Sequence, residues 1–138
     1  MGRKGKKEVV FFARGKRKES IVRVRLKEGK GTIRFNSLSL DALENKYIKN
    51  IILEPLVVVG DNLASKLDIS INARGGGQMG QAQAAAIAIA KALVSYQPGL
   101  KEKLLAENRT LFVEDVRRVE PKKYKGPKAR ARFQKSYR

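Results

Sequence analysis

The segment Arg74–Gly80 (Arg-Gly-Gly-Gly-Gln-Met-Gly) has residue types suited to binding phosphate. It lies between an alternating stretch that predicts a strand and an alanine-rich stretch that predicts a helix. At such a junction, free backbone N–H groups and the positive end of the helix dipole attract phosphate oxygens, and glycine permits close approach. Arg74 adds a cation at the same place.

Two nucleotide-binding motifs compete for this segment. A P-loop ends in Gly-Lys-Ser/Thr, but Gln81 follows Gly80, which excludes that motif. The glycine spacing does satisfy a dinucleotide fingerprint, yet the acidic residue near the required distance, Glu102, comes after Pro98–Gly99 with no second strand between. Contact with an RNA backbone and a simple tight turn both stay open.

Charge is concentrated at the two ends of the chain. Lys and Arg number 31 against 13 acidic residues, a formal net charge of +18. Residues 1–35 hold 13 basic and 3 acidic side chains, residues 36–116 hold 8 and 9, and residues 117–138 hold 10 and 1. So many like charges repel one another in a folded chain, so the excess predicts a polyanionic partner. It does not separate RNA from DNA, although no DNA-binding helix or zinc pattern is visible and a DNA-compacting protein is the weaker hypothesis.

The chain contains neither cysteine nor histidine. Their absence excludes disulfides, thiolate zinc sites, Ser-His and Cys-His nucleophile pairs and most transition-metal sites. We therefore expect no catalytic residue, no metal and no cofactor. A phosphate-binding enzyme or nucleotide sensor that uses the glycine loop is the alternative from another class.

The C-terminal segment from Lys122 interleaves cations with Tyr124, Phe133 and Tyr137. Cations pair with phosphates and aromatic rings stack on exposed bases. A solvated or localisation segment has a similar composition, but the matching charge at the other end favours nucleic acid. The spaced aromatics leave no apolar face for a membrane. With so few apolar anchors, we expect the segment to be extended and ordered only on its partner.

Alternating apolar residues predict an N-terminal meander. Its parts are a buried strand at Val9–Ala13, a turn at Arg14–Lys18, a strand from Ile21 to Leu26, and a hairpin through Gly29–Gly31 into Thr32–Phe35. Within the second strand, Arg23 and Arg25 alternate onto the face opposite the apolar residues. A further strand is predicted at Lys66–Ala73.

Helical spacing predicts three helices. The first begins near a capping box of Asp41 and Glu44 and is interrupted at Pro55, and its resumption from Pro55 towards Gly60 stays open. The others span Gln78–Tyr96 and Pro98–Asn108. The alanine-rich helix is too short and too interrupted by Lys91 to cross a membrane. The N-terminal apolar run is too short for a signal peptide, so we expect a soluble intracellular protein.

Over nearly its whole length the chain resembles the universal small-subunit ribosomal protein family S-nine, in its archaeal and eukaryotic branch, where the eukaryotic counterpart is numbered sixteen. The matching stretches are Gly15–Lys18, Gly29–Gly31, Asn36, Glu54–Leu56, Arg74–Ala82, Arg117–Tyr124, Pro127–Arg132 and Gln134–Arg138. The bacterial branch ends Gln-Phe-Ser-Lys-Arg, and this chain ends Gln-Lys-Ser-Tyr-Arg, which retains the final arginine.

The resemblance implies a two-layer α+β fold like the second domain of ribosomal protein S-five. That fold has a small mixed four-stranded sheet, helices on one face and a left-handed βαβ crossover, which is the rare hand. The implied division is a globular RNA-binding body with a basic N-terminal arm over residues 1–118 and an extended basic tail over residues 119–138.

The resemblance also implies a function: a structural constituent of the small ribosomal subunit, in the cytoplasm, which binds ribosomal RNA in the head beside neighbouring head proteins. The tail is expected to reach tRNA in the peptidyl site, with Arg138 on anticodon-stem phosphates and Lys135 and Tyr137 beside it. No membrane and no small-molecule substrate is expected. The implied contacts with ribosomal RNA are Arg14, Lys16, Arg17, Lys18, Arg74, Gly75, Gly76, Gly77, Gln78, Arg117, Arg118, Lys122, Lys123, Tyr124, Lys125, Lys128, Arg130 and Arg132.

Overall fold

The computed structural model describes residues 8–137 and has the predicted α+β composition. The N-terminal arm Gly2–Lys7 and Arg138 lie outside the described residues. The elements are β1 Val10–Arg17, β2 Ser20–Glu28, β3 Ile33–Phe35, β4 Leu38–Ser39, α1 Lys46–Val59, α2 Asp61–Ala64, β5 Leu67–Arg74, α3 Gln78–Tyr96 and α4 Leu100–Glu107, with 3-10 turns at Leu40–Ala42 and Arg109–Leu111.

The strands form one mixed sheet in the order β1-β2-β5-β3-β4. It has five strands rather than four, because β4 is a two-residue strand, too short to give an alternating pattern. Strand β3 pairs parallel to β5, and the other neighbouring pairs are antiparallel. A parallel pair needs a crossover connection, which α1 and α2 provide. The left hand of this crossover stays a prediction.

The predicted three-stranded meander is wrong, because β5 lies between β2 and β3. The Gly29–Gly31 turn does not form a hairpin but crosses the end of β5. There the carboxylate of Asp68 accepts hydrogen bonds of 2.9 Å from the backbone N–H groups of Lys30 and Thr32. These two bonds, Thr32 first, hold the pKa of Asp68 below its usual value. The chain then continues as β3, which lies on the side of β5 opposite β2.

The predicted turn at Arg14–Lys18 is also wrong. Strand β1 continues to Arg17, and a two-residue turn of Lys18 and Glu19, with Lys18 at φ +53°, joins it to β2. The strand is not buried on both faces as expected: Phe12 is exposed, whereas Phe11 points inward and meets the ring of Tyr96 edge-on at 5.5 Å. The alternation of inward and outward side chains along the hairpin therefore extends β1 through the cluster of cations that predicted a turn.

The core lies between one face of the sheet and the helices. Helix α3 packs across β1 and β2, and α1 packs on α3. The inward residues of β2 and β5 are buried, whereas Arg23 and Arg25 of β2 are exposed on the other face. Small side chains let α3 approach closely: a Cβ on Gly15 would clash with the backbone of Ala84 and lie 2.9 Å from the nitrogen of Ala88. The expected single helical layer is confirmed.

Helix α1 differs from its prediction at its start and at Pro55. Its N-cap is Asn45, whose Oδ1 accepts the N–H of Tyr47 at 3.0 Å, rather than the predicted box at Asp41 and Glu44. The predicted interruption at Pro55 does not occur: the helix runs through Pro55 to Val59, which agrees with the alternative of a helix continuing towards Gly60. Burial of Pro55 and Leu56 on the core side compensates for the missing hydrogen bond, so packing overrides the local preference.

The remaining predictions agree with the structure. Strand β5 buries Leu67, Ile69, Ile71 and Ala73 on one face, as the alternation indicated. Helix α3 spans Gln78–Tyr96, and α4 ends at Glu107, one residue before the predicted end. Across residues 8–137, no helix is long and apolar enough to cross a membrane.

Candidate nucleic-acid interface

Three basic segments that are far apart in sequence meet at one end of the sheet. They are the β1–β2 turn (Lys16–Glu19), the glycine loop (Arg74–Gln78) and the start of the C-terminal segment (Asp115–Arg118). We call this region the basic junction. A Cβ on Gly75 would lie 2.7 Å from the carbonyl oxygen of Glu19, so the loop rests directly on the turn. The sequence motifs therefore form one surface.

Arg17, the last residue of β1, points towards the helices and holds the segment Asp115–Arg118 in place. Its guanidinium forms an ion pair with Asp115, and its Nε donates to Oε1 of Gln83 on α3 at 2.9 Å. Only 14% of its side chain is exposed. In the free chain, Arg17 therefore joins the hairpin, α3 and the C-terminal segment, rather than pointing to solvent.

Asp115 accepts hydrogen bonds from two arginines. Arg117 donates from Nη2 at 2.6 Å, from Nε at 2.8 Å and from its backbone N–H at 2.9 Å, while Arg17 approaches from the other side. These contacts, those of Arg117 first, hold the pKa of the Asp115 carboxyl far below its usual range. The same pairing raises the pKa of Arg117. Asp115 therefore stays ionised and keeps both arginines oriented.

Arg118 fixes the next residue of the segment to the turn. One guanidinium nitrogen, Nη1, donates to the carbonyl of Lys18 at 2.8 Å and to the carboxylate of Glu19 at 2.9 Å. About half of the Arg118 side chain remains exposed. The C-terminal segment thus leaves the body from a defined point beside the glycine loop.

The glycines of the loop divide into two kinds. Gly75 and Gly76 have φ values of +74° and +64°, and side chains there would meet Glu19 and Ser20, so the turn itself requires them. Gly77 has ordinary extended geometry, with nothing within 4 Å of an added Cβ. Its lack of a side chain instead leaves the start of α3 open. The tight-turn explanation therefore accounts for the first two glycines but not for Gly77.

The start of α3 presents unpaired donors beside exposed cations. Gln81 is the first residue whose N–H bonds within the helix, to the carbonyl of Gly77 at 3.0 Å, so the N–H groups of residues 78–80 lack a helical acceptor. Gln78 is exposed at the helix tip. On the outer sheet face, Lys16 and Arg74 both lie across from Ile21, and Lys18 is exposed on the turn. Unpaired backbone donors beside cations have the chemistry that suits phosphate oxygens.

Four exposed or half-exposed cations were missed by the sequence-based site prediction. The outward residues of β2 and β3 include Arg23, Arg25, Lys27 and Arg34. Arg23 lies directly across from the predicted Arg14 in the β1–β2 register. The alternation of Arg23 and Arg25 along the sequence is the signal that could have identified this face.

The C-terminal segment beyond Arg118 has no helix or strand up to residue 137. It contains a turn closed by Glu120, whose carboxylate pairs with Lys123 at 2.6 Å and Arg130 at 3.1 Å, which lowers the pKa of Glu120. Arg132 donates to the carbonyl of Tyr124 at 3.1 Å. The remaining predicted tail contacts are exposed, namely Lys122, Tyr124, Lys125, Lys128, Lys135 and Tyr137.

The residues 8–137 contain no group of three or more acidic side chains suited to a metal ion. Arg138, the residue singled out for tRNA contact, lies outside the described residues. Within the described residues, the candidate interface consists of cations, backbone donors and aromatic rings.

Comparison with known proteins decides the family. A sequence profile described as "Ribosomal protein S9/S16" matches residues 15–138. The chain belongs to this ribosomal protein family. It is 45% identical over 130 residues to the small ribosomal subunit protein uS9 of Methanococcus maripaludis strain S2, a match that covers 90% of this chain and 95% of the relative. The uS9 proteins of strains C7 and C5 match to the same extent.

Membership of the S9/S16 family gives the general function. The chain is a structural constituent of the small ribosomal subunit, part of the ribonucleoprotein that carries out translation in the cytoplasm, and it is not an enzyme. Its surroundings are ribosomal RNA and other ribosomal proteins. The glycine loop is therefore not the site of a phosphate-binding enzyme.

Proposed function

We propose that the chain binds ribosomal RNA of the small-subunit head through the basic junction, and that its tail reaches tRNA in the peptidyl site. The observation that carries the first part is the convergence of the β1–β2 turn, the glycine loop and Arg117–Arg118 at one end of the sheet. Lys18 and Arg74 supply exposed charge there, and the open start of α3 supplies directed N–H donors. A phosphate backbone fits this combination.

The proposed tail function is supported by composition and by the S-nine resemblance. Lys135 and Tyr137 are exposed, and Arg138 is the terminal residue. A guanidinium donates two directed hydrogen bonds to phosphate oxygens, which a lysine cannot do. The body at residues 1–118 then anchors the protein, and the tail at residues 119–138 extends the contact to tRNA.

The junction is tested by binding of the full chain to head RNA and to an unrelated structured RNA across a salt series. We expect a preference for head RNA at moderate salt. Lys18→Gln and Arg74→Gln should each lower the slope of log affinity against log salt by about 1, as for loss of one phosphate contact. The matched controls, Lys101→Gln and Lys103→Gln on the opposite, helical side, should retain the parent slope. Equal affinity for both RNAs would refute the proposal.

The tail is tested in assembled ribosomes. Arg138→Ala should speed dissociation of tRNA from the peptidyl site while leaving subunit assembly unchanged. A charge-assisted contact predicts a loss of about 1–3 kcal/mol. Lys103→Ala, at an exposed lysine on α4 outside the proposed RNA contacts, is the control for charge alone. Equal tRNA dissociation from Arg138→Ala and parent ribosomes would refute this part of the proposal.

A further inference from the structure

The sheet has one face that the helices leave uncovered, which we call the open sheet face. Within residues 8–137, its strands carry seven outward cations and one outward acid, Asp68. The cations are Arg14, Lys16, Arg23, Arg25, Lys27, Arg34 and Arg74. The Asp68 carboxylate, kept ionised by two backbone N–H donors, offsets one of these charges, so the cations on the strands remain in large excess. At the edge of the face, Oε2 of Glu8 lies 3.6 Å from Nζ of Lys27.

Phe12 lies among these cations with 67% of its surface exposed. The core does not require it, since the adjacent Phe11 is the ring that packs inward against Tyr96. The register places Arg25 directly across from Phe12, and its guanidinium carbon lies 5.7 Å from the ring centroid. The exposed ring and the guanidinium that lies over it form one cationic aromatic platform.

A groove of about 520 Å³ runs beside this platform. Its lining includes Phe12, Arg25 and Arg34, together with the hydroxyl-bearing Thr32 and Ser70. Arg34 of β3 lies beside Ser70 of β5, and Ser70 lies beside Arg25 of β2. Since Arg25 lies beside Phe12 of β1, one row across the sheet joins the aromatic ring to two arginines. Cations flank a stacking surface, with hydroxyl groups between them.

We propose that the open sheet face binds an unpaired segment of RNA, with one base stacked on Phe12 and Arg25 and its phosphates on Arg23, Lys27 and Arg34. The charge selects a polyanion, and the exposed ring selects one with unstacked bases, which a duplex does not offer. Cations on alternate residues of β2 lie about 7 Å apart, a spacing that an extended strand can follow. The open sheet face adjoins the basic junction at Lys16 and Arg74, but the five residues of this proposal lie outside the junction. Only the assumption that the bound RNA is ribosomal rests on the proposed function.

The stacking contact is tested with the purified full chain, an unpaired RNA of about ten nucleotides and an RNA duplex of equal length. Phe12→Leu should weaken binding of the unpaired RNA about 5- to 100-fold without changing its salt dependence, because leucine keeps apolar area but has no flat ring. Phe12→Tyr should bind like the parent. Tyr47→Leu is the matched control, since Tyr47 is an equally exposed ring on α1.

The charged contacts are tested with the same RNAs. Arg23→Gln and Arg34→Gln should each lower the salt slope by about 1, while Lys103→Gln on α4 should not. Thermal unfolding of every variant should match the parent, since all the substituted residues are exposed. Parent-like affinity of Phe12→Leu for the unpaired RNA, or equal effects on the duplex, would overturn the inference.

The two proposals fail in different ways. Suppose that the parent chain shows no preference for head RNA, but Phe12→Leu still weakens its binding of unpaired RNA. That result refutes the junction proposal and supports the proposal for the open sheet face. If Phe12→Leu and Arg25→Gln leave RNA affinity unchanged but prevent a neighbouring protein from joining the subunit, the face is a protein interface and the inference is wrong.

Discussion

The guanidinium of Arg118 donates a hydrogen bond of 2.8 Å to the main-chain carbonyl of Lys18, which lies 100 residues earlier. This bond joins the start of the C-terminal segment to the tip of the first hairpin. Together with the ion pair between Arg17 and Asp115, it sets where the tail leaves the body. The position of the tail is thus determined by the same turn that contributes cations to the junction.

Arg118→Gln should free the start of the tail without unfolding the body. The bond is at the surface, and such contacts contribute about 0–1 kcal/mol, so thermal stability should hardly change. Limited trypsin digestion should cleave faster at Lys122 and Lys123, as measured by mass spectrometry. Arg109→Gln, an exposed arginine outside this contact, is the control. Unchanged cleavage in Arg118→Gln would show that the contact does not hold the segment.

Gly15→Ala should destabilise the body. The added Cβ would meet the carbonyl oxygen of Ala84 and lie 2.9 Å from the nitrogen of Ala88, both fixed helix backbone. Separating β1 from α3 should cost about 1–3 kcal/mol in the free energy of unfolding, measured by urea titration. Gly99→Ala is the matched control because an added Cβ there meets nothing within 4 Å. Parent-like stability of Gly15→Ala would refute the close approach.

Gly77→Ala separates the function of the loop from its folding. Because nothing lies near an added Cβ and the backbone is extended, the substitution should leave thermal stability unchanged. It should weaken head-RNA binding, since the methyl group narrows access to the N–H groups at the start of α3. Gly75→Ala should instead lower stability, because its φ of +74° is strained for alanine. Unchanged RNA affinity of Gly77→Ala would place the phosphate elsewhere.

Acid should destabilise the body of the protein through the carboxyl groups of Asp68 and Asp115, whereas the Glu120 contacts lie within the tail. The folded-state pKa values of Asp68 and Asp115 lie below the ordinary value of 3.8, so their contribution is full above that pH. As the pH falls below about 3.8, the unfolded chain binds protons first and stability declines towards the folded pKa. Unfolding free energy measured from pH 7 to pH 2 should show this decline, with a shallower slope in Asp115→Asn. Asp41→Asn, at a side chain 94% exposed, should keep the parent slope. A parent-like slope in Asp115→Asn would contradict the assignment.

Local sequence patterns predicted the helices and strands in which buried and exposed positions recur at a regular spacing. Strand β5 and helix α3 have uninterrupted alternation or small-residue helical spacing, and both were placed correctly. The insertion of β5 between β2 and β3 was not predictable in this way, because Asp68 meets Lys30 across 38 residues. Likewise, each basic motif was visible by itself, but their convergence depends on contacts such as Arg118 to Lys18. Arg23 and Arg25 were seen to alternate, yet only the uncovered sheet face gives that alternation a functional meaning.

Removal of residues 119–138 should leave the body folded. In the described part of the chain, the hydrogen bonds and ion pairs of this segment are internal, at Glu120 and between Arg132 and Tyr124, and the last contact to the hairpin is made by Arg118. Val119, Phe133 and Tyr137 are all more than half exposed, so little apolar surface is lost. Thermal unfolding should therefore shift by the equivalent of less than about 1 kcal/mol. The salt slope for head RNA should become flatter, since eight of the ten cations from residue 117 onward are removed with the tail. A large loss of stability in the truncated chain would show that the tail is part of the folded body.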